Sequence, residues 1–432
     1  MKKEIFKILI TESIENEYNF LYSRDVKIVE TKLITSITGP RRCGKTSLML
    51  KLLEEKRAIV PRNRCIYANF EDDRLYPLEL SDLQDFIDAY YELYPDNKQE
   101  LVYLFLDEIQ VVPQWELFVR RIYDNENVRL YLSGSSSKLL SSEIATSLRG
   151  RTITIEMFPL SFAEYLSFNN VKQDIYSTLW RPKIINLLED YLSYGGYPEL
   201  TGQPKELYFP TLSEYFNLIL YRDLIERYNI ANPSLLKIFL RHCVKNPATL
   251  LSMTKIANNF KSMGLSTSRN TLYDYFDYFQ ESYTLFTVPV YRKSYKEQQV
   301  NPKKIYVVDN GFYSAHQFNP DKGKLYENVV FLHLRRIYKE IFYYKGKQEV
   351  DFCFETHKGI QLINVSYDLS NRDTKEREIN GLCEAMEALS VKESLLITNN
   401  LEENIETSSG KIQIMPLYKW LLNFNNKNKF AI

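Results

Sequence analysis

A segment with the sequence GPRRCGKT, at residues 39–46, constrains the fold of this chain more than any other feature. It follows LITSIT (33–38), an apolar and β-branched run, and it precedes SLMLKLLEEK, which has helical periodicity. The pattern G-x-x-x-x-G-K-[ST] between a strand and a helix is typical of a loop that binds phosphate through backbone N–H groups. The sequence therefore predicts a strand, a phosphate loop and a helix in that order.

The loop supplies both backbone and side-chain groups to a phosphate. The glycines let the backbone curl, Lys45 brings an ammonium to the β- and γ-phosphates, and Thr46 offers a hydroxyl to Mg²⁺. Two loop arginines either touch phosphate or form salt bridges. The residues predicted to bind nucleotide are Gly39, Pro40, Arg41, Arg42, Cys43, Gly44, Lys45, Thr46 and Ser47.

Two adjacent acids, Asp107 and Glu108, directly follow the apolar run LVYLFL (101–106). An Asp at the carboxyl end of such a strand lies beside the phosphate loop and can hold Mg²⁺. The following Glu can act as a general base toward water. An acidic pair can also simply end a strand at the surface, but the phosphate loop upstream favours the functional interpretation.

The order of elements predicts an α/β fold in the first third of the chain. Apolar strands at 64–69, 101–106 and 128–133 alternate with helical patterns, which is typical of a three-layer fold with a parallel sheet. Helices follow residue 160, a helix-turn-helix pattern occupies 250–280, and TLFTVPVYRKSY (284–295) would be its wing. Strands return from about residue 304. We expect domains at 1–160, 161–300 and 301–432.

Composition excludes several classes of protein. The 432 residues carry 55 basic and 55 acidic side chains, which argues against binding nucleic acid through bulk charge but leaves room for a local basic patch. Five scattered cysteines without a CxxC pair suit a reducing cytoplasm and favour neither disulfides nor a zinc site. No apolar run approaches the roughly 18 residues of a membrane span. We expect a soluble, cytoplasmic protein without membrane association.

Several segments, in this order along the chain, resemble one family. They are GPRRCGKTSL, YANFEDDRL, LFLDEIQVVPQWE, YLSGSSSKLLS, SLRGRTITIEMFPLSFAEYL, YGGYPE and RDLIERY. The sequence resembles a large prokaryotic family of AAA+ ATPases whose members carry a C-terminal domain similar to restriction endonucleases. The resemblance implies ATP as the nucleotide, and the lack of an N-K-x-D motif after the core strands agrees with it.

The resemblance also implies further residues around the nucleotide. Ser135 takes the place of a polar sensor of the γ-phosphate, although a plain Ser-rich loop explains it equally well. In SLRGR, Arg151 is preferred over Arg149 as the arginine that reaches a γ-phosphate, in cis or from a neighbouring subunit. Surface arginines beside a Gly turn are the alternative. Glu71 either borders the site or belongs to a solvated acidic turn.

The helix-turn-helix pattern at 250–280 offers a surface for DNA. Its second helix begins with Ser268, Arg269, Asn270 and Thr271, where base contacts are made in such motifs. The helix continues as LYDYFDYF, whose acids repel phosphate, so a structural lid is the favoured alternative. The basic stretch YRKSYKEQQVNPKK either touches nucleic acid or is a solvated hairpin.

The C-terminal region resembles a nuclease core of the PD-(D/E)XK type, which gathers Mg²⁺ with carboxylates and orients water with a lysine. Glu327 would be the acid on the helix and Asp351 the acid on the strand. The third element departs from the pattern, because Asn364 replaces the expected Glu and Ser366 the expected Lys. We therefore expect the fold without normal cleavage, unless Glu349 or Asp368 compensates. The favoured interpretation is that Glu327 and Asp351 are leftovers or structural residues.

These observations predict an ATPase with Mg²⁺ that couples its cycle to a conformational change on DNA or a protein. The alternatives are an ATP-dependent DNA-processing nuclease and a nucleotide-gated regulatory switch with negligible turnover. An arginine from a neighbouring subunit would imply oligomerisation.

Overall fold

The computed structural model describes residues 2–18, 24–134, 148, 150–265 and 267–428. The chain forms two compact units, Met1–Phe158 and Pro159–Ile432. The N-terminal unit contains the phosphate loop. The C-terminal unit contains the helical segment, a small antiparallel sheet and a larger mixed sheet.

A parallel sheet forms the centre of the N-terminal unit. Its strands are β1 (Ile34–Thr38), β2 (Cys65–Asn69), β3 (Val102–Asp107), β4 (Val128–Gly134) and β5 (Thr152–Glu156). They lie in the order β2-β3-β4-β1-β5, and every pairing in this order is parallel. The predicted parallel α/β fold is confirmed, and β1, which leads into the phosphate loop, lies inside the sheet.

Helices cover both faces of this sheet. They are α1 (Lys2–Glu15), α2 (Lys45–Arg57), α3 (Asp82–Leu93) and α4 (Trp115–Asn125). Because side chains alternate along a strand, Leu104 and Leu106 of β3 pack into a core with α1, α3 and α4, whereas Phe105 packs into a core with α2. The unit therefore has three layers, as the buried apolar run of β3 predicts.

A run of helices begins the C-terminal unit, as predicted. Its members are α5 (Phe162–Phe168), α6 (Trp180–Tyr194), α7 (Tyr208–Leu218), a π-helical segment (Ile219–Glu226) and α8 (Pro233–Val244). A capping box starts α5: the Ser161 hydroxyl accepts from the Glu164 N–H at 3.2 Å, and the Glu164 carboxylate accepts from the Ser161 N–H at 2.8 Å.

Two helices and a small sheet follow. The helices are α9 (Met253–Ser262) and α10 (Arg269–Glu281), and the strands are β6 (Thr249–Leu251), β7 (Leu285–Val288) and β8 (Lys303–Val307). The strands are antiparallel in the order β6-β8-β7. The short helix α11 (Tyr295–Val300) lies between β7 and β8 in the chain, so the centre of the stretch YRKSYKEQQVNPKK is helical rather than the predicted hairpin. Strand β8 thus joins a sheet with strands that precede it by up to about fifty residues, rather than the sheet that follows it.

The last part of the chain forms a mixed sheet with helices. The strands are β9 (Phe342–Lys345), β10 (Glu349–Thr356), β11 (Gly359–Val365), β12 (Glu393–Thr398), β13 (Glu403–Glu406) and β14 (Lys411–Pro416). Their order is β13-β14-β12-β11-β10-β9. The helices are α12 (Asn310–Ala315), α13 (Lys322–Arg335), α14 (Arg372–Leu389) and α15 (Leu417–Asn428). Leu382 and Met386 of α14 pack on Leu396 and Ile412 of the sheet.

A buried carboxylate links the glycine turn after α6 to the start of α12. Asp309, only 3% exposed, accepts from the Gly196 N–H at 2.7 Å and from the Gly311 N–H at 2.8 Å. Gly195 has a left-handed φ of 81°, and a Cβ there would lie 1.6 Å from a carboxylate oxygen of Asp309. The glycine turn in SYGGYPEL therefore has a specific partner about 110 residues away in sequence.

We expect Asp309→Ala to lower the free energy of unfolding by about 1–3 kcal/mol or more, because it leaves two buried N–H groups unsatisfied. Asp174→Ala is the matched control, since the exposed Asp174 also accepts from two backbone N–H groups, of Tyr176 and Ser177, both at 3.1 Å. Water can replace that carboxylate. Denaturant unfolding measures both changes, and equal losses would contradict the assigned role of Asp309.

Candidate functional site

The loop between β1 and α2 has a backbone that side-chain-bearing residues rarely adopt. Gly39 has a φ of 148° and Gly44 a φ of 95°, and Arg42 is also left-handed at 64°. A Cβ on Gly39 would lie 2.2 Å from the carbonyl oxygen of Met157. The two glycines of the motif are therefore required by the path of the chain. The loop ends at the N-terminus of α2, whose free N–H groups attract anions.

Lys45 reaches back over this loop. Its Nζ donates to the carbonyl oxygens of Gly39 at 3.1 Å and of Pro40 at 2.9 Å, and the residue is only 5% exposed. The ammonium is thus held inside the curl of the loop. Both contacts are to neutral carbonyls, which a phosphate oxygen can replace with a stronger, charge-assisted partner.

The remaining loop residues have different surroundings. Cys43 is fully buried in the core beneath α2, whereas Arg42 and Ser47 are exposed. Arg41 lies 3.5 Å from the carboxylate of Glu71. Arg24, which the sequence analysis did not single out, donates to the carbonyl of Cys43 at 2.5 Å and to that of Phe158 at 2.7 Å. Its guanidinium ties the loop to the end of the unit.

The carboxylate of Asp107 is the meeting point of three elements. One oxygen accepts from the Thr46 hydroxyl of α2 at 2.8 Å and from the Tyr67 hydroxyl of β2 at 2.8 Å. The other accepts from the Ser133 hydroxyl of β4. Asp107 is 1% exposed, and these donors compensate for the burial of its charge.

Sequence reasoning missed Tyr67, and at the end of β4 it selected Ser135 instead of Ser133. A signal for both was present, because each polar residue lies near the carboxyl end of a strand that neighbours β3 in the sheet. Parallel strands bring these ends to one edge. The pKa of the Tyr67 hydroxyl is raised, first by burial and then by the charge of Asp107, so Tyr67 remains a hydrogen-bond donor.

Glu108 leaves the end of β3 with a left-handed φ of 52°. Such a backbone is uncommon for a residue other than glycine and is often found at functional sites. Its N–H donates to the Ser133 hydroxyl at 3.3 Å, and its carboxylate accepts from the side-chain amide of Gln110. Gln110 was also missed, although it lies only two residues further along.

A second acid interacts electrostatically with this carboxylate. The pKa of Glu71 is raised, first by burial and then by the negative charge of Glu108, while Arg41 opposes the shift. Of the two interpretations of Glu71, a position bordering the acidic side of the site agrees with this electrostatic coupling.

The residues predicted to sense the γ-phosphate are only partly described. Ser135 and Arg149 lie outside the described residues. Arg151 forms a bidentate ion pair with Asp124 of α4, with both N–O distances at 3.0 Å. Its guanidinium carbon lies over the ring of Tyr123, 5.5 Å from the ring centroid. A phosphate-contacting Arg151 would have to leave this pair.

The residues at 268–271, predicted to make base contacts in a helix-turn-helix, lie at the start of α10. The Ser268 hydroxyl accepts from the Thr271 N–H at 3.0 Å and so caps α10, while Arg269 and Asn270 are exposed. Asp274 of the same helix is also exposed. The helix therefore presents both a cation, Arg269, and an anion, Asp274, to solvent.

Family models match three stretches of the chain. Residues 31–166 match a family described as an AAA domain. Residues 185–322 and 322–420 match two families described as domains of unknown function, DUF8612 and DUF4143. The phosphate loop, Asp107 and Glu108 all lie inside the AAA match.

Relatives extend the match over nearly the whole chain. An uncharacterized protein of Methanocaldococcus jannaschii is 35% identical over 98% of this chain and 96% of its own length. This chain belongs to the same family. A second relative, from Haemophilus influenzae, is 29% identical over 92% of this chain and 96% of its own length.

Among solved structures, a Walker-type ATPase of Pyrococcus abyssi is similar with a TM-score of 0.40 and 15% identity, over 73% of this chain and 95% of that one.

Among the described residues, no helix is both long and apolar enough to cross a membrane.

Asp107 is the predicted Mg²⁺ ligand, and residues that orient a metal ligand typically contribute about tenfold to metal affinity. We therefore expect Tyr67→Phe to weaken Mg²⁺-dependent nucleotide binding by about tenfold. The variant removes only one of the three hydroxyls that donate to Asp107. Binding without Mg²⁺ should be unchanged. Fluorescent-nucleotide titrations with and without Mg²⁺ measure the effect.

The control is Tyr103→Phe, on the adjacent strand and two residues before the register position of Tyr67. It removes a hydroxyl on the same sheet but remote from Asp107. An equal loss in both variants would contradict an orienting role for Tyr67.

Proposed function

We propose that this protein binds ATP with Mg²⁺, hydrolyses it, and couples the cycle to a conformational change on a macromolecular partner. The observation that carries the proposal is the 2.8 Å contact between the Thr46 hydroxyl and the Asp107 carboxylate. It brings the end of the phosphate loop to the acidic end of β3. The AAA match over residues 31–166 supports the nucleotide part.

The donor set at this contact fits Mg²⁺. A hydroxyl and a carboxylate are hard oxygen ligands, which this ion prefers, together with water and substrate phosphates. Thr46 and Asp107 would hold the ion, and the ion would neutralise charge on the phosphates. Tyr67 and Ser133 keep the carboxylate turned toward Thr46.

Each remaining side chain has a separate task in the proposal. Lys45 exchanges its two carbonyl contacts for phosphate oxygens, and the N–H groups of the loop and α2 bind the same phosphates. Glu108 takes a proton from the attacking water, and Gln110 holds its carboxylate before nucleotide binds. Ser135 and Arg151 complete the γ-phosphate contacts, with the arginine acting in cis or from a neighbouring subunit.

The C-terminal unit supplies the proposed partner surface. We assign residues 161–300 to a helical and winged-helix lid and 301–432 to an endonuclease-like domain without normal cleavage. Strand β8 of the second stretch pairs with β6 and β7 of the first, so the small sheet spans this boundary. The helix pair α9–α10 followed by antiparallel strands supports the winged-helix assignment. Exposed Arg269 and Asn270 favour DNA, and the acids of the same helix favour a protein partner.

We expect Glu108→Gln to keep ATP bound and to lower kcat by about a hundredfold or more, the usual contribution of a general base. Glu100→Gln is the matched control, since Glu100 lies beyond the opposite end of β3 in a surface pair with Arg64. A coupled phosphate-release assay measures turnover and a filter assay measures binding. Fast hydrolysis by Glu108→Gln would exclude the general-base role.

We expect Lys45→Ala to weaken ATP binding by about ten- to hundredfold, since a charge-assisted hydrogen bond contributes about 1.5–3 kcal/mol. Lys51→Ala removes a charge from the same helix, at a surface pair with Glu55, and should leave binding unchanged. Calorimetric titration with a non-hydrolysable ATP analogue compares the two. Equal affinities for the two variants would contradict the phosphate contact.

Steady-state hydrolysis with and without single- and double-stranded DNA identifies the partner class. Stimulation by DNA that Glu108→Gln lacks identifies DNA as the partner. Turnover that is indifferent to DNA points to a protein. Tight binding with negligible turnover, despite an intact Glu108, would favour the nucleotide-gated switch instead of the ATPase.

A further inference from the structure

A lysine occupies the centre of the acidic cluster in the C-terminal unit. The Nζ of Lys304 lies 2.8 Å from Asp351, 2.9 Å from Glu349 and 3.0 Å from Glu327, measured to one carboxylate oxygen of each. Its side chain is only 3% exposed. Three carboxylate oxygens thus converge on one buried ammonium.

The four residues come from three separate elements. Lys304 belongs to β8 of the small sheet, Glu327 to α13, and Glu349 and Asp351 to β10 of the mixed sheet. The Tyr306 hydroxyl, also on β8, donates to the same oxygen of Glu327 at 2.7 Å. The cluster therefore fastens the small sheet to the helix and strand that follow it.

Asn364, which stands where a nuclease of the resembled type has a glutamate, has a different task here. Its side-chain oxygen accepts from the Asp351 N–H at 3.0 Å, and its amide donates to Glu378. The second oxygen of Asp351 accepts from the Val365 N–H at 2.9 Å. A carboxylate at position 364 could not donate to Glu378 and would add a repelling charge.

Electrostatics agree with this arrangement. Burial acts to lower the pKa of Lys304, but Asp351 and Glu327 outweigh it and hold that pKa well above its ordinary value. Burial and then Asp351 raise the pKa of Glu327 to about 7, against the opposing effect of Lys304. Burial also acts to raise the pKa of Glu349, but Lys304 outweighs it and the pKa is lowered. The ammonium is thus the cation that keeps these acids together.

We propose that Lys304 is the resident cation of this cluster: its ammonium takes the position where three carboxylates would otherwise gather a divalent metal ion, and so excludes one. Oxygen ligands from three acids are the donors that hard divalent cations prefer. A lysine that fills their common point leaves no position for the ion and none for a metal-activated water. The cluster is then a structural ionic junction rather than a cleavage site.

The test replaces Lys304 with methionine, which keeps an unbranched side chain and removes the charge. Mn²⁺ binding is measured by calorimetry on the full chain without nucleotide, for wild type, Lys304→Met and Lys304→Met/Asp351→Asn. We expect Lys304→Met to bind an additional Mn²⁺ ion and to melt at a higher temperature when Mn²⁺ is present. The double variant should bind that ion about tenfold or more weakly, since it lacks a ligand.

Lys303→Met is the matched control, because the neighbouring residue points to the other face of β8 and should gain no ion. Wild type compared with Asp351→Asn keeps the proposal testable even if Lys304→Met does not fold. We expect equal Mn²⁺ binding by these two proteins. Mn²⁺ binding by wild type that Asp351→Asn abolishes would overturn the proposal, and so would a folded Lys304→Met that gains no ion.

DNA cleavage provides an independent readout. Wild type should leave supercoiled plasmid intact with Mg²⁺ or Mn²⁺. Cleavage that requires the metal and disappears in Asp351→Ala would overturn the proposal and restore the nuclease. Because this assay needs neither ATP nor the phosphate loop, its result is separable from that of the proposed ATPase function.

Discussion

The hydrogen bonds to the Asp107 carboxylate are the interactions on which the arrangement of the N-terminal unit depends. A buried carboxylate is unfavourable unless donors surround it, and here the donors are the hydroxyls of Thr46, Tyr67 and Ser133. Each hydroxyl belongs to a different element. The carboxylate can therefore accept all three hydrogen bonds only when α2, β2 and β4 are all correctly placed beside the end of β3. The same requirement that stabilises the sheet edge places the phosphate loop beside the acids.

Much of this unit could be predicted because its signals are local. The motif at 39–46 needs a strand before it and a helix after it, and both are legible in neighbouring residues. The buried run before Asp107 fixes the end of β3 in the same way. Tyr67, Ser133 and Gln110 could not be assigned with equal ease, because their roles depend on the order of strands in the sheet and on the left-handed turn at Glu108. The strand order is set by tertiary packing.

The C-terminal unit was harder to predict for the same physical reason. The sequence shows that Asn364 and Ser366 break the nuclease pattern, which predicts what is lost. The sequence does not show that a lysine occupies the centre of the acidic cluster, because Lys304 comes from a strand of another sheet, 47 residues before Asp351. Likewise, the glycine turn after α6 is visible in the sequence, but its partner Asp309 lies in a distant segment. Long-range polar contacts of this kind leave little trace in periodicity.

A cation that is covalently part of the chain has no dissociation constant. The ammonium of Lys304 can be neither diluted away nor removed by a chelator, and its supply does not vary with the ion content of the surroundings. Domains that are stabilised by a bound metal ion lose stability when the ion is scarce, because the free energy of metal binding contributes to the free energy of folding. The junction between β8, α13 and β10 is exempt from that dependence.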